Sequence, residues 1–173
     1  MGIGVNIEFE PTGESETQEA EMRADGIREK AALMEEPLYH KVCKTFSIQA
    51  QDAKQYSPLT LAYIGDAIYE VIVRTVLVEK GNAPVNTLHK RASKLVKAEA
   101  QKDAFFRIKE LLSEEETAVF KRGRNAKSYT SAKNATIGDY RIATGYEALF
   151  GYWYLSGQTE RMLEMAQKAM EEK

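Results

Sequence analysis

The sequence predicts an all-α protein. Three observations carry that reading. Apolar residues recur at helical spacing, the main apolar runs open on capping residues and close on glycine, and no segment alternates convincingly as a strand. Residues 1–36 stand apart. Residues 1–20 are Gly, Pro, Thr, Ser and Glu with few large apolar side chains, so they read as disordered. Residues 21–35 offer only a thin stripe of Met22, Ile27, Ala31 and Met34. From Pro37 onward Leu38, Val42 and Phe46 recur at helical spacing.

Ser57 is a good N-cap, Pro58 suits the first helical position, and an apolar run from Leu59 to Val78 follows, with Gly81 as its stop. That helix is apolar nearly all round and is expected to be central and buried. A helical region broken once is expected from Asn86 to Leu112. Ser113 and Glu116 make a capping-box pair for a helix ending near Arg122 and Gly123. Residues 123–138, rich in Gly, Asn, Ser, Lys and Thr, read as a long loop. Asp139 is the expected cap of a helix running to about Ser156, stopped by Gly157. A last amphipathic helix uses Met162, Leu163, Met165, Ala166 and Met170.

Charge is unevenly spread along the 173 residues. Residues 1–36 hold ten acidic and three basic side chains, a balance of −7; the remaining sixteen acidic and twenty-one basic residues leave 37–173 at +5. The division is therefore an acidic N-terminal extension, 1–36, and a mildly basic body, 37–173, compatible with a polyanion. The extension is either an inert tail or a competitor for the basic face. No apolar run is long enough to span a membrane, and no secretory leader is visible. The single cysteine, Cys43, rules out an intrachain disulfide and fits the cytoplasm. One cysteine and two histidines, His40 and His89, exclude the usual Cys/His zinc frameworks. A bound metal would need oxygen ligands, which favours Mg²⁺ or Mn²⁺.

Two acids sit in apolar helical segments. Asp66 lies in Leu61-Ala62-Tyr63-Ile64-Gly65-Asp66-Ala67-Ile68-Tyr69, and Glu147 in Tyr146-Glu147-Ala148-Leu149-Phe150-Gly151-Tyr152-Trp153. Carboxylates there are costly to bury unless cations or donors compensate them. Gly65 costs roughly 1 kcal/mol mid-helix against alanine, and its missing bulk lets a backbone or ligand approach. Asp66 could simply pair with a nearby Arg or Lys. Alternatively the two helices cross with the acids facing, and a divalent cation between them activates water for attack on a phosphoryl group. Glu70, one turn after Asp66, could support such a site, but its spacing to Arg74 favours an ion pair.

The Asp66 segment resembles the ribonuclease III signature, and Tyr146-Glu147-Ala148-Leu149-Phe150-Gly151 is similar to that family's second acidic motif. Lys121-Arg122-Gly123-Arg124-Asn125-Ala126-Lys127-Ser128 between them is similar to a loop of the Mini-ribonuclease III branch. The resemblance covers about residues 50–170, and the sequence stops without the double-stranded RNA-binding domain of full-length ribonuclease III, as in the Mini branch. It implies a dimeric, ribonuclease III endonuclease-domain-like helical bundle. It also implies Mg²⁺-dependent hydrolysis of double-stranded RNA to 5′-phosphate ends, with Asp66 and Glu147 at the metal and precursor 23S ribosomal RNA as substrate. Mn²⁺ is a possible substitute. The family's two further glutamates and one aspartate fall at Leu59, Ala62 and Thr144 here, which implies fewer protein ligands and more metal-bound water. This thinning keeps open an inactive RNA-binding relative associated with ribosome assembly. Without the resemblance, a helical interaction protein with structural carboxylates is a third reading.

For RNA, Lys90, Lys94 and Lys97 recur on one helical face with Arg91 adjacent, while Leu88, Leu95 and Val96 point inward. Arg122, Arg124, Asn125, Lys127 and Ser128 offer cations and hydrogen-bonding groups in the loop. His89 reads as a surface residue. Tyr140, Tyr146, Tyr152, Trp153 and Tyr154 read as core or dimer packing. A-form RNA exposes phosphates and 2′-hydroxyls across a shallow groove, so reading by shape and strong salt dependence are expected.

Overall fold

The structure is a computed structural model and describes residues 36–127 and 136–171. Readings that fall on residues 1–35 and 128–135, Ser128 among them, lie outside the described residues. The rest forms α1 (Leu38–Thr45), α2 (Pro58–Glu79), α3 (Val85–Val96), α4 (Ala98–Ile108), α5 (Glu114–Asn125), α6 (Ile137–Leu155) and α7 (Thr159–Met170). Short 3-10 turns occupy Ala53–Gln55 and Lys109–Leu111, and no strand occurs among the described residues.

Several boundaries follow from capping chemistry. Ser57 Oγ accepts the Thr60 N–H at 3.1 Å, with Pro58 opening α2. Gly81 follows with φ +147°, a conformation that disfavours side chains. The expected break falls at Lys97, whose extended backbone ends α3 and opens α4. Asp139 is not the cap of α6: Thr136 is, its Oγ1 accepting the Asp139 N–H at 3.1 Å. Asp139 instead places its charge in the first turn, where the helix dipole favours it, and pairs with Lys102 at 3.0 Å.

The central element is α6, which packs against α2, α4, α5 and α7. Every residue from Ala143 to Trp153 is buried, save the half-buried Glu147. This corrects the expectation for α2. Leu61, Ala62, Gly65, Tyr69 and Val73 form its buried face, but Tyr63 is 81% exposed, and Val71 and Val78 face outward too. Average apolarity cannot distinguish a helix buried all round from one with an uncovered apolar stripe. Likewise Leu38, Phe46 and Leu163 are exposed, while Tyr39 supplies the buried contact of α1. Of the aromatic group on α6, Tyr146, Tyr152 and Trp153 are core and Tyr140 and Tyr154 are half-buried.

The capping box at Ser113 forms as expected and does more than cap. Glu116, 5% exposed, accepts the Ser113 N–H at 2.8 Å, the Trp153 indole N–H at 2.8 Å and the Arg161 guanidinium at 2.9 Å. Burial alone would raise its pKa. The Arg161, Ser113 and Trp153 donors outweigh that and hold it at about 2, against 4.5 ordinarily. A carboxyl depressed in the folded state stabilises above its unfolded pKa, and that stability is lost as pH falls from about 4.5 to about 2. Glu116→Gln is therefore expected to cost roughly 3 kcal/mol at neutral pH. Urea denaturation at pH 7 and pH 3 checks this, since the gap between variant and wild type must narrow in acid.

Candidate active site

Gly65 and Gly151 let α2 and α6 cross at backbone contact. A Cβ on Gly65 would collide with the Glu147 carbonyl oxygen and lie 2.6 Å from the Gly151 nitrogen. A Cβ on Gly151 would collide with the Leu61 carbonyl and lie 3.0 Å from the Leu61 Cα. The crossing therefore sets Asp66, the residue after Gly65, beside the turn of α6 that carries Glu147. The bulk missing at Gly65 makes room for a backbone, one of the two alternatives its position raised.

The two acids differ in setting. Asp66 is solvent-accessible, a correction to the expectation that it is buried. Partial shielding still raises its pKa, and the charge of Glu70 adds to the rise. Glu147 is the more enclosed of the two, half-buried on α6. Burial first, then the charge of Asp66, push its pKa up to about 8. Glu70 turns away to Arg74, which holds its Oε2 at 2.6 Å and 2.8 Å through Nη2 and Nε, the ion pair favoured from spacing.

A residue not singled out from sequence completes the neighbourhood. Gln101 on α4 is 1% exposed, and neither its Oε1 nor its Nε2 completes a hydrogen bond. Its amide acts on Glu147 in the direction that favours the charged carboxylate. An unmatched buried polar group costs about 1–3 kcal/mol, so this one calls for a reason. The signal lay in the sequence: Gln101, Ala104, Phe105 and Ile108 form one buried helical face, and Gln101 is its polar member.

These groups suit a hard divalent cation. The donors are oxygens, the carboxylates repel each other, and an unpaired amide oxygen lies alongside. No cluster of three His, Cys, Asp or Glu able to hold a metal occurs among the described residues. Asp66 and Glu147 would therefore be the protein's charged ligands, with water filling the remaining positions. The positions of the family's missing acids cannot help. Ala62 is packed in the core, Leu59 is partly exposed, and the Thr144 hydroxyl donates to the Tyr140 carbonyl at 3.0 Å.

A Ribonuclease III domain model matches residues 59–158, which spans both acids. The chain belongs to the ribonuclease III family, in its Mini-ribonuclease 3 branch. It is 54% identical to a Mini-ribonuclease 3 of Clostridium tetani over 66% of this chain and 77% of that protein. A Mini-ribonuclease 3 of Brevibacillus brevis is 51% identical over 69% of this chain and 89% of the relative. A Fusobacterium nucleatum protein known from its crystal structure superposes with a TM-score of 0.62 at 31% identity, covering 68% of this chain and 94% of that one. The helical fold expected from the family resemblance is thus borne out.

The cations fall into two groups on this ribonuclease III domain. Lys90, Arg91 and Lys94 are exposed on α3, which packs on α2. Lys97 is exposed at the junction with α4 and pairs with Glu99 at 2.9 Å. As expected, Leu95 and Val96 pack on the core. Lys94 and Lys97 also line a cleft of about 330 Å³ with Tyr69 and Arg107.

The second group follows a correction. The helix expected to stop near Gly123 runs on to Asn125. Gly123 is a packing residue, for its Cβ would lie 2.9 Å from both the Ala148 Cβ and the Gly145 Cα. This places the end of α5 against the stretch of α6 that carries Glu147. Arg122, Asn125 and Lys127 are exposed there, while the Arg124 guanidinium lies 5.9 Å from the centre of the Phe120 ring and its Nε donates to Asn125 Oδ1 at 3.2 Å. No described helix is long and apolar enough to cross a membrane.

Proposed function

We propose that the chain is a divalent-metal-dependent endoribonuclease that hydrolyses double-stranded RNA, leaving 5′-phosphate ends. The observation that carries this reading is the glycine crossing that sets Asp66 beside Glu147. Mg²⁺, or Mn²⁺ in its place, would be held by these two carboxylates; when bound it lowers the pKa of water and offsets charge on the phosphoryl oxygen. Glu147, shielded and facing another acid, readily exchanges a proton for a cation. Asp66 stays accessible, which suits a phosphodiester arriving from solvent.

Lys90, Arg91 and Lys94 on one side, and Arg122, Arg124 and Lys127 on the other, would hold backbone phosphates. Lys97, Asn125 and Ser128 would add contacts, and Glu70 would steady the Asp66 turn while paired to Arg74. Cutting both strands calls for two sites, and a twofold homodimer supplies them. The uncovered stripe of Tyr63 and Val71 on α2 supports such pairing. The natural substrate on this reading is precursor 23S ribosomal RNA in the cytoplasm. The catalytic body is 37–173 and the acidic extension is 1–36.

The test is cleavage of a labelled RNA duplex with and without Mg²⁺. Asp66→Asn is expected to lower the rate by on the order of 10³-fold while duplex binding stays within a few-fold of wild type. Binding without cleavage by the wild type, across several duplexes and with Mn²⁺ as well, would instead favour the inactive RNA-binding relative.

A further inference from the structure

Gln101 does nothing for the core that an apolar residue would not do better. Its helical face is otherwise Ala104, Phe105 and Ile108, and its two polar atoms are buried without partners. A leucine or methionine would fill similar space with nothing left unmatched. Buried polar groups that stay unsatisfied in a well-packed helix face mark places where stability has yielded to another demand. The Gln101 amide lies within reach of the Glu147 carboxylate.

Resting on the metal-dependent reading above, we propose that Gln101 is a positioning residue of the metal centre. Its Nε2 donates to the ionised Glu147 carboxylate and fixes that group's orientation toward Asp66. Its Oε1 is left to accept a hydrogen bond from water inside the site. A chain with two acids in place of the family's fuller set thus recruits a neutral amide to order them. Groups standing behind metal ligands typically change affinity or activity 10–100-fold when removed.

The experiment compares the full-length wild type with Gln101→Leu by Mn²⁺ titration calorimetry and by metal-free thermal denaturation. The metal-free variant is expected to melt at the wild-type temperature or a few degrees higher, since the unmatched amide is gone. Its Mn²⁺ affinity is expected to fall about 10-fold, and kcat on an RNA duplex to fall with KM little changed. A purely structural glutamine predicts the reverse, with a lower melting temperature and unaltered Mn²⁺ affinity. A variant that binds Mn²⁺ as the wild type does overturns the proposal and leaves the metal-dependent reading standing. A variant that fails to fold also overturns it, because the amide would then be holding the core together. A wild type that binds no Mn²⁺ overturns both.

Discussion

Gly65→Ala is expected to destabilise the protein by about 3 kcal/mol or more, despite alanine's better helix propensity. Propensity favours alanine by about 1 kcal/mol. Against that, the new methyl would overlap the Glu147 carbonyl oxygen and crowd the Gly151 nitrogen, both main-chain atoms that cannot swing aside. Overpacking against mobile side chains costs 1–3 kcal/mol, and a rigid neighbour lies at the upper end or beyond. The helices must part, and with them Asp66 and Glu147. Cleavage is therefore expected to drop by about 10²-fold even at temperatures where the variant remains folded. Gly138→Ala is the matched control, because its Cβ would meet nothing nearer than Thr136 Oγ1 at 3.8 Å. It should be neutral, or more stable by up to about 1 kcal/mol. Urea denaturation of the two variants decides the matter, and a Gly65→Ala protein as stable as Gly138→Ala would mean the helices do not cross at backbone contact.

Glu147→Gln is expected to stabilise the metal-free protein at alkaline pH while removing cleavage. The direction follows from the raised pKa, about 8 in the folded chain against 4.5 ordinarily. Below pH 4.5 the residue is protonated whether the chain is folded or not, and its contribution is fully present. As pH rises toward 8 the unfolded chain ionises freely and the folded chain does not, so the wild type loses stability across that window. The loss amounts to roughly 3–5 kcal/mol by the alkaline end, and the glutamine variant escapes it. Mg²⁺ should restore stability to the wild type above pH 8 and do little for the variant. Denaturation in chelator from about pH 5 to pH 9 reads the effect. Parallel curves for the two proteins would show that burial and Asp66 do not disfavour the ionised Glu147. Cleavage by the variant should fall by on the order of 10³-fold.

Much of this was legible in the residues because capping chemistry is local. Ser57, Gly81 and the Ser113–Glu116 box needed only their own turn to act, and each stands where the sequence placed it. The odd acids were visible for the same kind of reason, since a carboxylate among apolar neighbours is anomalous in any fold. What the residues could not tell was which surface each helix would meet. Gly123 reads as a stop and turns out to be a contact, because its partner, α6, lies some twenty residues further on. Residues 59–78 read as core on apolarity, yet a stripe of α2 faces outward, a property of tertiary arrangement. Gln101 escaped notice although its position on the apolar face of α4 was readable, because a lone glutamine draws attention only once its neighbours are known to leave it unmatched.

One carboxylate, that of Glu116, caps the first turn of α5, receives the indole of α6 and holds the arginine of α7. Arg161 in turn reaches the Leu111 carbonyl at 2.6 Å, ahead of α5. The ties to Glu116 share its two oxygens, so loss of that one carboxylate releases them all. Fraying of the α7 start would strip the charge partner from Glu116, and loss of the α5 cap would strip it from Arg161. The start of α5, the end of α6 and the start of α7 thus lean on a single side chain, and that anchor sits on the helix neighbouring the one that bears Glu147.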